Sequence, residues 1–487
     1  MFLFKVLHWR RYSLAFVLGA VMPFAFSPFD QLWLAPLLLA AWLKLLMHEK
    51  ALAVGYLFGL GWFGLGAWWL APTLHTFGHL PWLLACFCVL LVGSVMALLP
   101  ALLAWLCWRS AGKSAWILLA FPAAAVLEEW VRGHLFTGLP WMAMGNLILD
   151  TPAVGWAAWF GVYGAASLPA LLAASLVLLS TRHWRSAAAG VITLLLLVLL
   201  APQPYGSSGA VYHATMVQAN IPQDKKWDRA FVNETMRRYA KLSRLAAKNS
   251  DIMIWPEAAV PFFLERSPSW NGWMHDQLAI WQTPLLFGGL KLTGGGTAQN
   301  GLIAADPAAD AWQFAGKQHL VPFGEYVPAW IPFLHTLVPE IADFKAAQGS
   351  GVVVLGGHRY GALICYESLF PELSRARVQH GAELLINITN DAWYGTTPAA
   401  WQHFQAARMR AVETGRYVLR AANTGVTAVI APNGVVQRSL PWWTEGALRV
   451  AYQFSSVKTP YVRWGDYPLL VTLLMLAIAW RRSRQDE

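Results

Sequence analysis

The sequence predicts an α-helical membrane bundle that carries one large α/β domain outside the bilayer. Three observations carry this expectation: an apolar composition, a series of long apolar runs, and one long section that has none. Of 487 residues, 57% are hydrophobic and only 13% are charged, and the mean hydropathy is +0.42. That is too apolar for an ordinary soluble protein. Runs close to the roughly 20 residues that cross a bilayer fall near 12–29, 31–48, 51–74, 81–108, 115–134, 158–180 and 187–202, with an eighth near 461–480. Residues 203–460 hold most of the carboxylates and no spanning run. The expectation is therefore eight transmembrane helices: seven over 1–202, an aqueous domain over 203–460, and a last helix with a short tail over 461–487.

Basic residues fix an orientation. Arg10 and Arg11 precede the first run, Lys44 and Lys50 flank the turn after the second, and Arg109 and Lys113 follow the fourth. Arg182 and Arg185 follow the sixth, and Arg481, Arg482 and Arg484 follow the eighth. If every run crosses, these all lie on one side, which the positive-inside rule makes cytoplasmic. Both termini are then expected inside and the 203–460 domain outside, in the periplasm at the inner membrane of a Gram-negative cell. A cleaved signal peptide is not expected, because no small-x-small site follows Arg10-Arg11 and further spanning runs come at once. The same clusters account for the net charge of +10 as a topology signal, which argues against nucleic-acid binding.

Within 203–460, short apolar strands alternate with amphipathic helices. His213 to Gln218 reads as a strand, and 228–249 as a long helix with Phe231, Met236, Tyr239, Leu242 and Leu245 on one face. Ile252 to Trp255, Leu285 to Leu290, 359–364 and Leu384 to Ile388 read as strands, and 270–282, 371–380 and 400–414 as helices. This alternation predicts an α/β domain with helices packed on sheets.

Four short segments place polar residues directly after apolar strands, where a scaffold holds them rigidly. They are Ile254-Trp255-Pro256-Glu257, Lys317 to Glu325, Ile364-Cys365-Tyr366-Glu367 and Asn390-Asp391-Ala392-Trp393. Of the four cysteines, Cys86, Cys88 and Cys107 sit in one apolar run and read as small buried hydrophobes, which leaves Cys365 outside and no disulfide framework. A free thiol ionises near pKa ~8.5 and needs a base or cation to react quickly at neutral pH. Glu257 can take the proton, and Lys317 can stabilise the thiolate and the oxyanion formed on attack at a carbonyl. His319, His358 and His403 lie in the same domain, so a Cys-His pair is an open alternative.

Taken together, the segments resemble the nitrilase (carbon-nitrogen hydrolase) superfamily, with its strand-Pro-Glu, Lys-x-x-x-x-Pro-x-x-Glu and strand-Cys-x-Glu motifs in that order. Such a domain between seven spanning runs and an eighth is similar to the apolipoprotein N-acyltransferase family. The resemblance implies an α-β-β-α sandwich and a Glu257-Lys317-Cys365 triad. It also implies a ping-pong reaction: Cys365 takes the sn-1 acyl chain of a phospholipid as a thioester, and the α-amino group of an S-diacylglyceryl cysteine on an apolipoprotein accepts it as an amide. Glu257 is then general base and acid, and Lys317 the oxyanion donor. Glu325 orients Lys317 or helps to move protons, and Glu367 and Tyr366 shape the pocket beside the nucleophile. The implied partners are the phospholipid donor, the apolipoprotein acceptor and membrane lipid, acting on a monomer with no cofactor, no metal and no nucleic acid.

The same resemblance puts Trp227, Trp393 and Tyr394 on loops at the site mouth, and Trp141, in the loop 138–141, is expected to reach it. Asn300 is a candidate substrate hydrogen-bonder. The simpler reading of the tryptophans, 28 in all, is belt or core packing. That of Lys317 and Glu325 is a pair of solvated loop charges, and that of Glu257 is a helix cap. Glu128, Glu129 and Arg132 are expected to reach the membrane interface and pair there, and His319 and His403 to be structural. The rival enzyme is a membrane-tethered nitrilase-type amidase that uses water and a small amide. An inactive lipid carrier and a transporter are the non-enzymatic rivals.

Overall fold

The computed structural model of the chain describes residues 2–47, 49–111, 114–328 and 343–485, with side chains for all of them except 2–8, 245, 246 and 468. Lys113 and the side chain of Leu245 lie outside that set. The chain divides into two units, Met1–Gln203 with Thr397–Gln405 and Trp464–Glu487, and Pro204–Thr396 with Ala406–Arg463.

The first unit is helical: Phe2–Val21, Leu34–Leu46, Ala51–Gly66, Leu70–Thr76, Trp82–Ala111, Ile117–His134, Ala157–Ala165, Ser167–Ser180, Trp184–Leu199 and Pro468–Ser483. All eight apolar runs fall on these helices. The first helix starts well before residue 12, because Lys5, Arg10 and Arg11 are adequate helix formers that leave the backbone pattern unbroken. Gly55 and Gly59 let the third helix approach Trp82–Ala111 closely, since a Cβ at either would meet Ala97, Pro100 or Ala101.

Length and composition alone establish between one and three spans. Among the described residues, Trp82–Ala111 is the one unbroken helix long and apolar enough to cross a membrane. The count rises to three if Ala51–Gly66 with Leu70–Thr76, and Pro152–Ala165 with Ser167–Ser180, are each one bent span. Leu34–Leu46 and Trp184–Leu199 are apolar but short. Phe2–Val21 carries Lys5, Arg10 and Arg11, and Ile117–His134 carries Glu128, Glu129 and Arg132.

That last trio corrects the sequence reading. Glu128, Glu129 and Arg132 do pair, at 3.3 Å and 2.6 Å, but they are buried inside the protein. Arg132 Nη1 donates to the carbonyls of Leu139 (3.3 Å) and Trp141 (2.7 Å), and Glu129 Oε1 accepts from the Met144 amide (2.9 Å). The charges therefore order the 138–144 loop, which has no regular structure to satisfy its backbone groups.

The second unit is built on two sheets. We number its strands β1 Tyr212–Gln218, β2 Ile252–Ile254, β3 Val260–Phe263, β4 Leu285–Leu292, β5 Ala298–Ala305, β6 Gln313–Gly316, β7 Val352–Leu355, β8 His358–Ile364, β9 Leu384–Thr389, β10 Val418–Ala422, β11 Thr427–Ile430, β12 Val436–Leu440 and β13 Gly446–Tyr452. One sheet runs β13-β1-β2-β4-β5-β6 with β3 beside β4, and the other β12-β11-β10-β9-β8-β7. The central pairs β1/β2, β2/β4, β8/β9 and β9/β10 are parallel.

Strand alternation builds two core layers from the first sheet. Met216, Ile252, Ile254, Leu286 and Leu302 point to one face, where they meet Ile364, Ile386, Ile388 and Leu419 of the second sheet. Val217, Met253, Trp255, Phe287 and Ile303 point to the other, against Met236, Tyr239, Met274 and Leu278 of helices Val232–Ala246 and Pro268–Trp281. Helix Pro371–Gln379 lies on the second sheet, where Arg377 donates to the Ala362 carbonyl at 3.1 Å. The layers are helix, sheet, sheet, helix, with both faces of the central strands covered.

Candidate active site

Three strand ends deliver the predicted residues to one buried centre. Glu257 leaves β2 through Pro256 and enters a bend in which Ala258 has φ +46°. Gly288 of β4 faces that bend so closely that a Cβ would stand 2.5–2.6 Å from the Pro256 oxygen, the Ala258 nitrogen and the Glu257 Cα. Lys317 follows β6, and Cys365 follows β8 at φ +51°, a left-handed conformation that a non-glycine residue holds only when its surroundings over-determine it.

All three are buried: Glu257 is 6% exposed, Lys317 1% and Cys365 7%. The Glu257 carboxylate is fixed at both oxygens, Oε1 by Asn300 Nδ2 (2.8 Å) and Oε2 by the Asn390 amide (2.9 Å). Lys317 Nζ lies 3.8 Å from Glu257 Oε1 and 2.8 Å from Glu325 Oε1. Glu325 Oε2 in turn accepts from the Val321 amide at 2.8 Å. Burial pulls the Lys317 ammonium down, but Glu325, Glu257 and Cys365 outweigh it and hold the group charged, above the ordinary lysine range.

Burial, then the charge of Glu257, pushes the Cys365 thiol well above its ordinary value, against the opposing pull of Lys317 and a hydrogen bond with Thr389. The resting sulfur is therefore a thiol, which would need a base to act as a nucleophile. Thr389 Oγ1 donates to Asp391 Oδ1 (2.9 Å), and Asp391 Oδ2 is held by Arg420 Nη2 (2.7 Å).

The remaining predicted residues separate into groups. Asn300 holds Glu257. Tyr366 is buried next to Cys365, and burial raises its phenol. Glu367 is fully buried and faces the scaffold: it accepts from the amides of Ile364 (2.8 Å), Gln318 (2.7 Å) and His319 (3.2 Å), which locks the strand end before Cys365 to the loop after Lys317. Trp227 and Trp393 are 45% and 40% exposed. Tyr394 is half-buried, and its phenol is raised by burial and then by the nearby Cys365 and Asp391. Trp141 belongs to the first unit, where it is buried, donates to Gln402 Oε1 (2.6 Å), packs at a tilt on Trp69 and stacks on His403. His319 stacks on Phe370.

Sequence reasoning missed Asn423 and Lys226. Asn423 accepts from the Ile221 amide (3.0 Å) and donates to its carbonyl (2.8 Å) and to Asn390 (3.0 Å). Lys226 sits beside a second lysine before Trp227 and reads as a solvated charge; only its burial, 2% exposed, marks it out.

A buried thiol, carboxylate and ammonium thus meet on a two-sheet sandwich, on one chain with an apolar helical unit. The Carbon-nitrogen hydrolase family matches residues 213–459, and the Apolipoprotein N-acyltransferase N-terminal domain matches 18–176. The chain is 36% identical to Apolipoprotein N-acyltransferase of Ralstonia nicotianae, covering 96% of this chain and 93% of that one. It is also 36% identical to that of Methylococcus capsulatus, covering 97% and 96%. The chain belongs to the apolipoprotein N-acyltransferase family. Among solved structures it is similar to Saccharomyces cerevisiae Nit3, of the nitrilase superfamily, at 17% identity over 54% of this chain and 97% of that chain, with a TM-score of 0.40.

Proposed function

We propose that the chain transfers the sn-1 acyl group of a phospholipid, through a thioester on Cys365, to the free α-amino group of an S-diacylglyceryl cysteine on an apolipoprotein. The observation that carries this reading is the convergence of Cys365, Glu257 and Lys317 in a chain of this family. Glu257 takes the thiol proton as the sulfur attacks the ester carbonyl, and Lys317 holds the oxyanion. Collapse breaks the ester C–O bond, and Glu257 returns the proton to the departing lysophospholipid. The acceptor amine then attacks the thioester, Glu257 takes its proton, the C–S bond breaks and the thiol is restored. Glu325 keeps Lys317 charged and aimed throughout. Trp227, Trp393 and the half-buried Tyr394 line the approach, where the exposed tryptophan faces suit acyl chains.

The reading includes the domain limits 1–202, 203–460 and 461–487, eight membrane passages, cytoplasmic termini, and a periplasmic catalytic domain at the inner membrane. Both substrates are held in a bilayer by acyl chains, and lifting them out costs about 0.8 kcal/mol per CH₂. A helical unit that keeps the enzyme at the membrane removes most of that cost. A small-amide hydrolase gains nothing from it.

The test supplies the purified protein with phospholipid and a synthetic S-diacylglyceryl-cysteinyl peptide. One added acyl group on the free-amine peptide, and none on its N-acetylated form, is the expected result. Hydrolysis of small amides with no acyl transfer would replace this reading with the amidase.

A further inference from the structure

Lys226 is a buried cation that the chemistry above does not use. It ends the short helix Gln223–Lys226, and its Nζ donates to the backbone carbonyl of Glu257 at 2.8 Å. The segment carrying it is tied into the network that holds the Glu257 carboxylate. Asn390, whose amide donates to Glu257 Oε2, also donates through Nδ2 to Gln223 Oε1 (2.6 Å), and Asn423 clamps Ile221 from both sides. The next residue, Trp227, is exposed, so the chain turns the lysine inward.

Burying an ammonium is expensive unless its charge is matched. A neutral amide would hold a carbonyl equally well, so the charge calls for an electrostatic role. The charged groups at the centre are Glu257, Glu325 and Lys317, with Cys365 acquiring charge during reaction. Asp391 is paired with Arg420, and Tyr366 and Tyr394 are held neutral. Without Lys226, two carboxylates face one ammonium, a net negative centre that opposes charge on sulfur or on a carbonyl oxygen. With Lys226 protonated, the charges balance.

We propose that Lys226 is a positioning residue of the reaction: its buried ammonium fixes the Glu257 bend and supplies the second positive charge that lets negative charge develop on Cys365 and the ester oxygen. Burial lowers Lys226 to about 8, while Glu257 and Cys365 act to raise it. The cation is thus present at neutral pH and lost in mild alkali. The inference rests on the acyl-transfer reading, and its test separates the two.

Lys226→Met and Lys226→Arg are compared with the parent protein in detergent, with thermal unfolding to establish that each is folded. Two rates are measured across pH: acyl-thioester formation from phospholipid, and alkylation of Cys365 by iodoacetamide. Lys226→Met is expected to slow both about 10- to 100-fold at pH 7 and to move the alkylation profile to higher pH. Lys226→Arg is expected to recover most of both rates and to keep thioester formation beyond pH ~8, where the parent declines. A folded Lys226→Met protein with parental rates and profiles would overturn the proposal. So would slowing with no change of pH profile, which marks a purely structural lysine. If the parent forms no thioester, the acyl-transfer reading fails, and alkylation still decides the role of Lys226.

Discussion

At the residue scale, Glu325 is the strongest of the groups that offset the burial pulling Lys317 down. Replacing Glu325 by Gln removes the charge at 2.8 Å and leaves the ammonium with Glu257 at 3.8 Å. Thioester formation is expected to fall about 10²-fold. It should also fail at a lower alkaline pH than in the parent, because the largest effect raising Lys317 is gone. Rates of hydroxylamine-labile acylation measured across pH check both. The effect of Asn300 is smaller: Asn300→Ala frees one oxygen of Glu257 and should slow the same step by about 10-fold. Thermal stability should also fall, by about 1–3 kcal/mol, because the buried Glu257 carboxylate loses the hydrogen bond from Asn300 Nδ2.

At the element scale, Gly288 shows how β4 shapes the bend that carries Glu257. Gly288→Ala places a methyl group against backbone atoms that cannot swing aside, and it should cost about 1–3 kcal/mol in thermal or denaturant unfolding and impair acylation. The strands before Glu257 and Cys365 were legible because Ile252 to Ile254 and Ala362 to Ile364 are continuous apolar runs, as central parallel strands must be. The strands β3, β5 to β7 and β10 to β13 were not identified; in β10, β12 and β13 the cause is Arg420, Gln437, Arg438 and Arg449, which interrupt the apolar pattern. The structure shows the reason for Arg420: it is buried and bonded to Asn387 and Asp391. Lys226 was hidden for the same cause. Its partner is a backbone carbonyl 31 residues further along the chain, and no local spacing announces such a contact. Glu367 was legible as a site residue, but its work as a strut between two loops depends on amides that only the fold brings together.

At the scale of the whole molecule, the apolar runs located the helices, but a hydropathy pattern counts crossings only when each helix is long and free of charge. Glu128, Glu129 and Arg132 defeated the interface reading because charges can be sequestered inside a bundle if they are paired. Arg132→Ala would leave two buried carboxylates unmatched, and it should destabilise the protein by about 3–5 kcal/mol, read as a lowered unfolding temperature in detergent, while Cys365 alkylation in the surviving folded fraction stays parental. The central claim is a lipid acyl group carried on a buried thiol. Intact-protein mass spectrometry after incubation with phospholipid and no acceptor addresses it most directly. The expected result is a mass gain of one fatty acyl group that hydroxylamine removes and that Cys365→Ala abolishes. A folded parent protein that gains no acyl mass, or one that gains it equally without Cys365, would contradict it.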